Sequence, residues 1–182
     1  MSDASNVTQS KPNKAGAIWR APLGTTLPED PTAKLDEAFK NLGYISEDGV
    51  TNTTSISSEQ TKDWGGDIVL NSQSDKSDQW KMKFLESLNV DVLKTIYGEE
   101  NVTVKEETGV IKVVANSDEM EESSYVIDMI LKGGRLKRVV LPVAKITALA
   151  DVPYKNNQAI AYEVTLGLTP DANGNTHYEY IK

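Results

Sequence analysis

The sequence predicts an α+β fold that is mainly β: an antiparallel β-sandwich or barrel with one short helix on its flank. Three observations predict it. Strand-like segments recur about every 8–12 residues with turn residues between them, the spacing of sandwiches and barrels. Two segments read as β-hairpins closed on glycine, at Glu106-Glu107-Thr108-Gly109 and Lys132-Gly133-Gly134-Arg135. One strand runs directly into a helix of about eight residues, too short to hold itself together in water, so it must lie against a sheet.

That strand and helix occupy Gln79 to Gly98. Trp80, Met82 and Phe84 alternate with Lys81 and Lys83, the pattern of a sheet with one wet face. Asn89 is an N-cap, Leu88 and Leu93 stand at staple positions, and Gly98 closes the C-terminus. Val92, Leu93, Ile96 and Tyr97 share the face that meets the sheet.

The other elements follow in order. Residues 1–16 are polar and predict a flexible N-terminal arm. Residues 17–182 read as a single domain with an extended loop at about 46–64. Within Ala17 to Leu27, Trp19 either closes the edge of its own domain or packs on a neighbouring subunit. Asp30 to Leu42 predicts a helix, with Asp30 as cap, Pro31 in the first turn, and Leu35, Ala38, Phe39 and Leu42 at helical spacing. Val50 to Thr61 is rich in Thr and Ser and reads as a strand with two polar faces, one that projects or meets a partner. Apolar character resumes over Asp63 to Leu70, and Asn71 to Asp78 reads as a polar loop. Pro142 requires an edge or a bulge in the second strand of the later hairpin. Strands at Ala159 to Leu168 and His177 to Ile181 complete the chain.

Composition narrows the function. The chain has 182 residues, 19 basic and 27 acidic, for a net charge of −8. A surface of that sign repels nucleic acid and anionic membranes. There is no cysteine, hence no disulfide framework or thiolate chemistry. The N-terminal segment has no apolar h-region, and no apolar run is long enough to span a bilayer, so the expectation is a cytoplasmically made protein without a membrane partner. The single histidine, His177, stands on a terminal strand, a poor place to hold a catalytic base rigidly. Asp171, Asn173 and Asn175 alternate like a calcium loop, but the glycine and the closing Glu are misplaced, which leaves a turn. No nucleotide-binding glycine motif occurs. The reading is no enzyme, no cofactor and no metal.

The order GYISEDGVT, WGGDIV and WKMKFLESLNVDVLKTIYG resembles the tail tube (major tail) proteins of long-tailed, non-contractile bacteriophages. The likeness runs over roughly residues 21–98 and continues in layout through the hairpins. It implies a virion protein that forms hexameric rings stacked into a hollow tube. That tube would surround a tape-measure protein, later conduct DNA into the host, and meet tail terminator and tail tip proteins at its ends. A ring needs a head-to-tail interface between unlike faces. Lys132, Arg135, Lys137 and Arg138 gather on one hairpin, and Glu119, Glu121 and Glu122 on the loop before it. These patches meet either within one subunit or between subunits. Together with Trp19 they are the subunit-contact candidates. Val50, Thr54, Ile56, Glu59, Lys62 and Asp63 are the candidates for ring-to-ring stacking. Two other classes stay open: another tail component of the same fold, such as a terminator or fibre-associated module, and a small-ligand β-barrel.

Overall fold

The long strand that ends at Phe84 sets the architecture, because its alternation buries Trp80, Met82 and Phe84 to 5 %, 2 % and 0 % exposure while its lysines stay wet. The computed structural model describes residues 2–13 and 16–182. In chain order the elements are β1 (Ser10–Pro12), β2 (Ile18–Pro22), β3 (Lys40–Asn41), β4 (Ile45–Lys62), β5 (Ile68–Phe84) and α1 (Val90–Tyr97). There follow β6 (Val102–Lys105), β7 (Val110–Val113), β8 (Ser123–Leu131), β9 (Leu136–Leu149), β10 (Tyr162–Leu168) and β11 (Tyr178–Ile181). One sheet runs β3-β2-β8-β9-β10-β5-β4, with β1 beside β8 and β11 beside β9, and β6 and β7 form a separate pair. The pairings are antiparallel. The fold is thus mainly antiparallel β with one short α-helix, as the sequence predicts.

Pro142 does bulge its strand. Between the pairs Ser123↔Ala144 and Tyr125↔Leu141, β9 takes one more step than β8. Ser124 Oγ donates to the Pro142 carbonyl at 2.7 Å across that bulge. On its other side β9 changes neighbour at the same place: residues 137–140 pair with β11 and residues 144–149 with β10.

Strands β2, β8 and β9 are buried on both faces. One face joins Ile18, Tyr125, Ile127, Val139 and Leu141 to Trp80, Met82, Phe84 and the buried side of α1. Asn89 caps α1 by accepting the Asp91 N–H at 3.0 Å, and Gly98 ends it at φ 100°, a positive value that suits glycine. Leu88 is exposed, so the expected staple with Leu93 does not form. The other face holds Ala21, Val126 and Val140 under Phe39, with Leu35, Ala38 and Trp19 packed at its margin.

The cover on that second face comes from the segment expected to be a helix at 30–42. It folds instead as a strap of turns. Asp30 and Asp36 each accept the N–H two residues on, at 2.6 and 2.9 Å, which bends the backbone out of helical register. The Arg138 guanidinium takes the carbonyls of Asp30 and Ala33 at 2.9 and 2.8 Å, oxygens a helix needs for itself. The apolar spacing is real, but it serves a strap.

A second correction concerns residues 71–78. They form no loop. They are the middle of β5, paired with β4 from Thr54↔Asp78 to Gln60↔Asn71. The residues expected to form a flexible N-terminal arm include a 3-10 turn at Ala4–Asn6 and strand β1, which pairs along the end of β8. Residues 1, 14 and 15 of that expected arm lie outside the described residues.

Candidate functional site

Strand β5 keeps two neighbours only as far as Gln79, its last partner on β10 being Gly167. From Asp78 to Ile68 its sole strand partner among the described residues is β4. Ten residue steps at about 3.3 Å make a two-stranded ribbon that extends about 33 Å from the sheet. Every residue from 51 to 76 is exposed. Thr51, Thr53, Ser55 and Ser57 line one face opposite Lys81, Gln79, Ser77 and Asp75. No side of this stretch buries a core, and an isolated ribbon of this kind is marginal in water.

The ribbon nevertheless carries large apolar groups at its far end. Ile56, Ile68, Val69 and Leu70 are exposed, and Trp64 at the tip is fully so. Asp63 shapes that tip: its Oδ1 accepts the Asp67 N–H at 2.8 Å. Of the stacking candidates, Ile56, Glu59, Lys62 and Asp63 stand on the free ribbon. Val50 packs against the core, and Thr54 Oγ1 donates to Asp78 at 3.4 Å, so both belong to the root. The sequence reading missed Trp64 and the run Ile68 to Leu70 as surface features. The signal available was an apolar run beside a Gly-Gly turn with no covering element.

The ribbon root is held by Asp78, also missed. Its carboxylate is buried and accepts from Asn52 Nδ2 at 2.6 Å, Thr176 Oγ1 at 2.8 Å and His177 Nδ1 at 2.6 Å. Burial pushes this carboxyl up, but the hydrogen bonds from Asn52, Thr176 and His177 outweigh it and hold it below the ordinary carboxylate value. Asp78 continues the parity of Phe84, Met82 and Trp80, so an acid at a core position is the signal that could have found it.

The charged candidates separate cleanly. The acidic loop enters β8 at Ser123 and the basic turn leaves it at Leu131, so the two patches lie at opposite ends of a strand about 27 Å long. They do not meet within the subunit. Glu119 pairs with Lys145, and that hydrogen bond holds its carboxyl below the ordinary value. Glu121 faces Arg20 at 3.9 Å, and Glu122 accepts from Thr169 Oγ1 at 3.3 Å. At the other end Lys132 and Arg135 are exposed and form no ion pair among the described residues. Lys137 pairs with Glu179 at 2.8 Å.

Arg138 belongs to neither surface. It is 4 % exposed and grips Asp128 with Nε at 2.6 Å and a terminal nitrogen at 2.9 Å. It works inside the subunit, fixing the strap to β8. Trp19 likewise packs within its own chain, beside the second core cluster, with its indole N–H buried and without a hydrogen-bond partner among the described residues. Among the described residues no group of three or more His, Asp or Glu side chains is placed to hold a metal, and no helix is long and apolar enough to cross a membrane.

These features define a mainly β structural subunit from which a long uncovered ribbon projects. Comparison with known families makes that class specific. The family described as phage tail tube protein matches residues 5–182, and the chain belongs to that family. It is therefore a structural component of the virion tail, one that polymerises into a tube with other tail proteins. No curated protein matches the chain. Among solved structures it is similar to the anti-feeding prophage cap (the AFP tube terminating cap), with 8 % identity over 100 % of both chains and a TM-score of 0.48.

Proposed function

We propose that the chain assembles as hexameric rings that stack into the phage tail tube, which encloses the tape-measure protein and later conducts DNA into the host. Assembly takes place in the host cytoplasm, and tail terminator and tail tip proteins close the tube ends. The protein is not an enzyme and uses no cofactor. The observation that carries this reading is the ribbon: 26 consecutive exposed residues, 51 to 76, with apolar groups concentrated at the tip. A subunit gains nothing by holding such a ribbon in water. A neighbouring ring that receives it supplies the missing cover, so residues 46–64 and their partners on β5 act as the stacking element. Lys132 and Arg135, at the opposite end of β8 from Glu119, Glu121 and Glu122, suit a head-to-tail contact between unlike faces. A net charge of −8 favours passage of DNA without adhesion.

The test replaces residues 55–77 by an Asn-Gly turn, which keeps the root pair Thr54↔Asp78. Negative-stain microscopy is expected to show long tubes from the unaltered protein and only rings or free subunits from the shortened one. Tubes of ordinary length from the shortened chain would refute the stacking role. Single rings and no tubes from the unaltered chain would instead favour a tail terminator.

A further inference from the structure

Where the ribbon leaves the sheet, the next core position of β5 is filled by an acid, and the C-terminal segment reaches across to bind it. We propose that Thr176 and His177 form a clamp on Asp78 that presets the direction in which the ribbon projects.

Asp78 is the residue of β5 just outside the pairing with β10, which begins at Gln79. Its two carboxylate oxygens divide between two structures. Oδ1 accepts from Asn52 and Thr54 on β4, within the ribbon. Oδ2 accepts from Thr176 and His177, outside it. An ionised carboxylate can only accept, so Nδ1 of His177 carries the proton in that contact. The imidazole also meets Trp80 edge-on, with ring centres 5.7 Å apart. One carboxylate therefore ties the ribbon to the C-terminal segment at the point where the ribbon loses the support of the sheet.

The clamp has a rigid backing. Asp171 accepts the N–H groups of Asn173 and Asn175 at 2.9 and 3.0 Å and the Tyr178 hydroxyl at 2.6 Å, which fixes the turn before Thr176. Immediately after His177, β11 pairs with β9, placing Tyr178 opposite the buried Val140. Force on the ribbon root thus passes through Asp78 and His177 into β11 and the core strand β9. Beyond Gln79 a ribbon held by β4–β5 pairing alone can pivot where β10 ends. Held from a second direction, it presents its tip in one place, so a joining subunit has less freedom to lose.

The clamp is a property of the single subunit, and only its benefit to assembly rests on the tube reading. The chain contains no cysteine, so two introduced cysteines can carry spin labels at chosen sites. Ser57→Cys lies on the ribbon and Ala148→Cys on β9, both exposed. Labelled chain diluted into unlabelled chain reports the ribbon-to-body distance within one subunit. The distribution is expected to be narrow with the clamp intact. In Thr176→Val and His177→Leu, each removing one donor to a charged group, the ratio of held to released ribbon should fall about tenfold or more, and the distribution should broaden. His177→Gln, which can still donate, should recover part of the narrowness. Amide protection in β8 and β9 serves as the control for folding, and Thr176→Val decides alone if His177→Leu does not fold. A broad distribution in the unsubstituted chain, or an unchanged narrow one in folded Thr176→Val, would overturn the clamp. Failure of the tube reading would show separately, as an unsubstituted chain that forms no tubes.

Discussion

Arg138→Ala should be among the most damaging single substitutions in this chain. The guanidinium makes four hydrogen bonds: two to the buried Asp128 carboxylate and one to each of the carbonyls of Asp30 and Ala33. Alanine leaves Asp128, 6 % exposed, as an unpaired charge and frees the strap that covers Val126 and Val140. Removing one partner of a buried ion pair costs about 3–5 kcal/mol, against a total domain stability of about 5–15 kcal/mol. At about 2–4 °C per kcal/mol for a chain of this size, the melting temperature should fall by about 6–20 °C. Urea unfolding followed by tryptophan fluorescence and by circular dichroism measures the loss. The decisive comparison is a double-mutant cycle with Asp128→Leu and Arg138→Met, since replacing both charges by apolar groups removes the desolvation cost along with the attraction. A coupling of about 2 kcal/mol or more is expected between the two positions. If the two single effects simply add to within about 0.5 kcal/mol, the pair does not hold the strap and the reasoning fails.

Other outcomes follow from the same structure. Lys132→Glu with Arg135→Glu should leave the subunit folded and weaken tube formation, because both cations are exposed and unpaired among the described residues; sedimentation of tubes across a salt series reads it, and equal yield at all salt concentrations would dismiss them as contacts. The depressed carboxyl of Asp78 contributes stability that is present above its ordinary value of 3.8 and is lost as pH falls through its lower folded value; acid unfolding of Asp78→Asn should lack that part of the pH dependence. Burial pushes Tyr125 and Tyr162 up to about 12 and raises Tyr180 as well, so in a phenolate absorbance titration three of the seven tyrosines should ionise late, and stability should fall as pH rises above about 10. Gly43→Ala should cost more than Gly24→Ala: both have positive φ, but a Cβ at Gly43 would lie 2.0 Å from the Glu86 carboxyl group, which accepts the Tyr44 N–H, whereas the space beside Gly24 is open.

The elements legible in the sequence are those in which a local pattern and a long-range need coincide. The alternation of Trp80, Met82 and Phe84, the Asn89 cap and the glycine turns at 109 and 133 each report a buried face or a required backbone angle. Periodicity detects only burial, so the ribbon is nearly invisible to it. Asn71 to Asp78 has two wet faces until its last residue and looks like a loop, although β4 pairs it along its length. The strap at 30–42 fails for the opposite reason. Its apolar spacing is helical and correct as to burial, but the outcome is set by Arg138, about a hundred residues away, which competes for the carbonyls a helix would use. Even that competitor left a trace. The glycine turn at 132–135 fixes the register of β8 and β9, and that register puts Asp128 directly opposite Arg138. Asp128 is the one charge in the apolar run Tyr125 to Leu131, and Arg138 directly precedes the buried run Val139 to Leu141. An acid and a base facing each other across a hairpin, each beside a buried apolar residue (Ile127 and Val139), can be satisfied only by one another or by backbone. That makes Arg138 readable as a structural residue and distinguishes it from Lys132 and Arg135, each of which borders a glycine of the turn and forms no ion pair among the described residues. The assembly surface we propose is then what remains after such internal pairs are subtracted: the basic turn, and the ribbon whose tip none of the described elements covers.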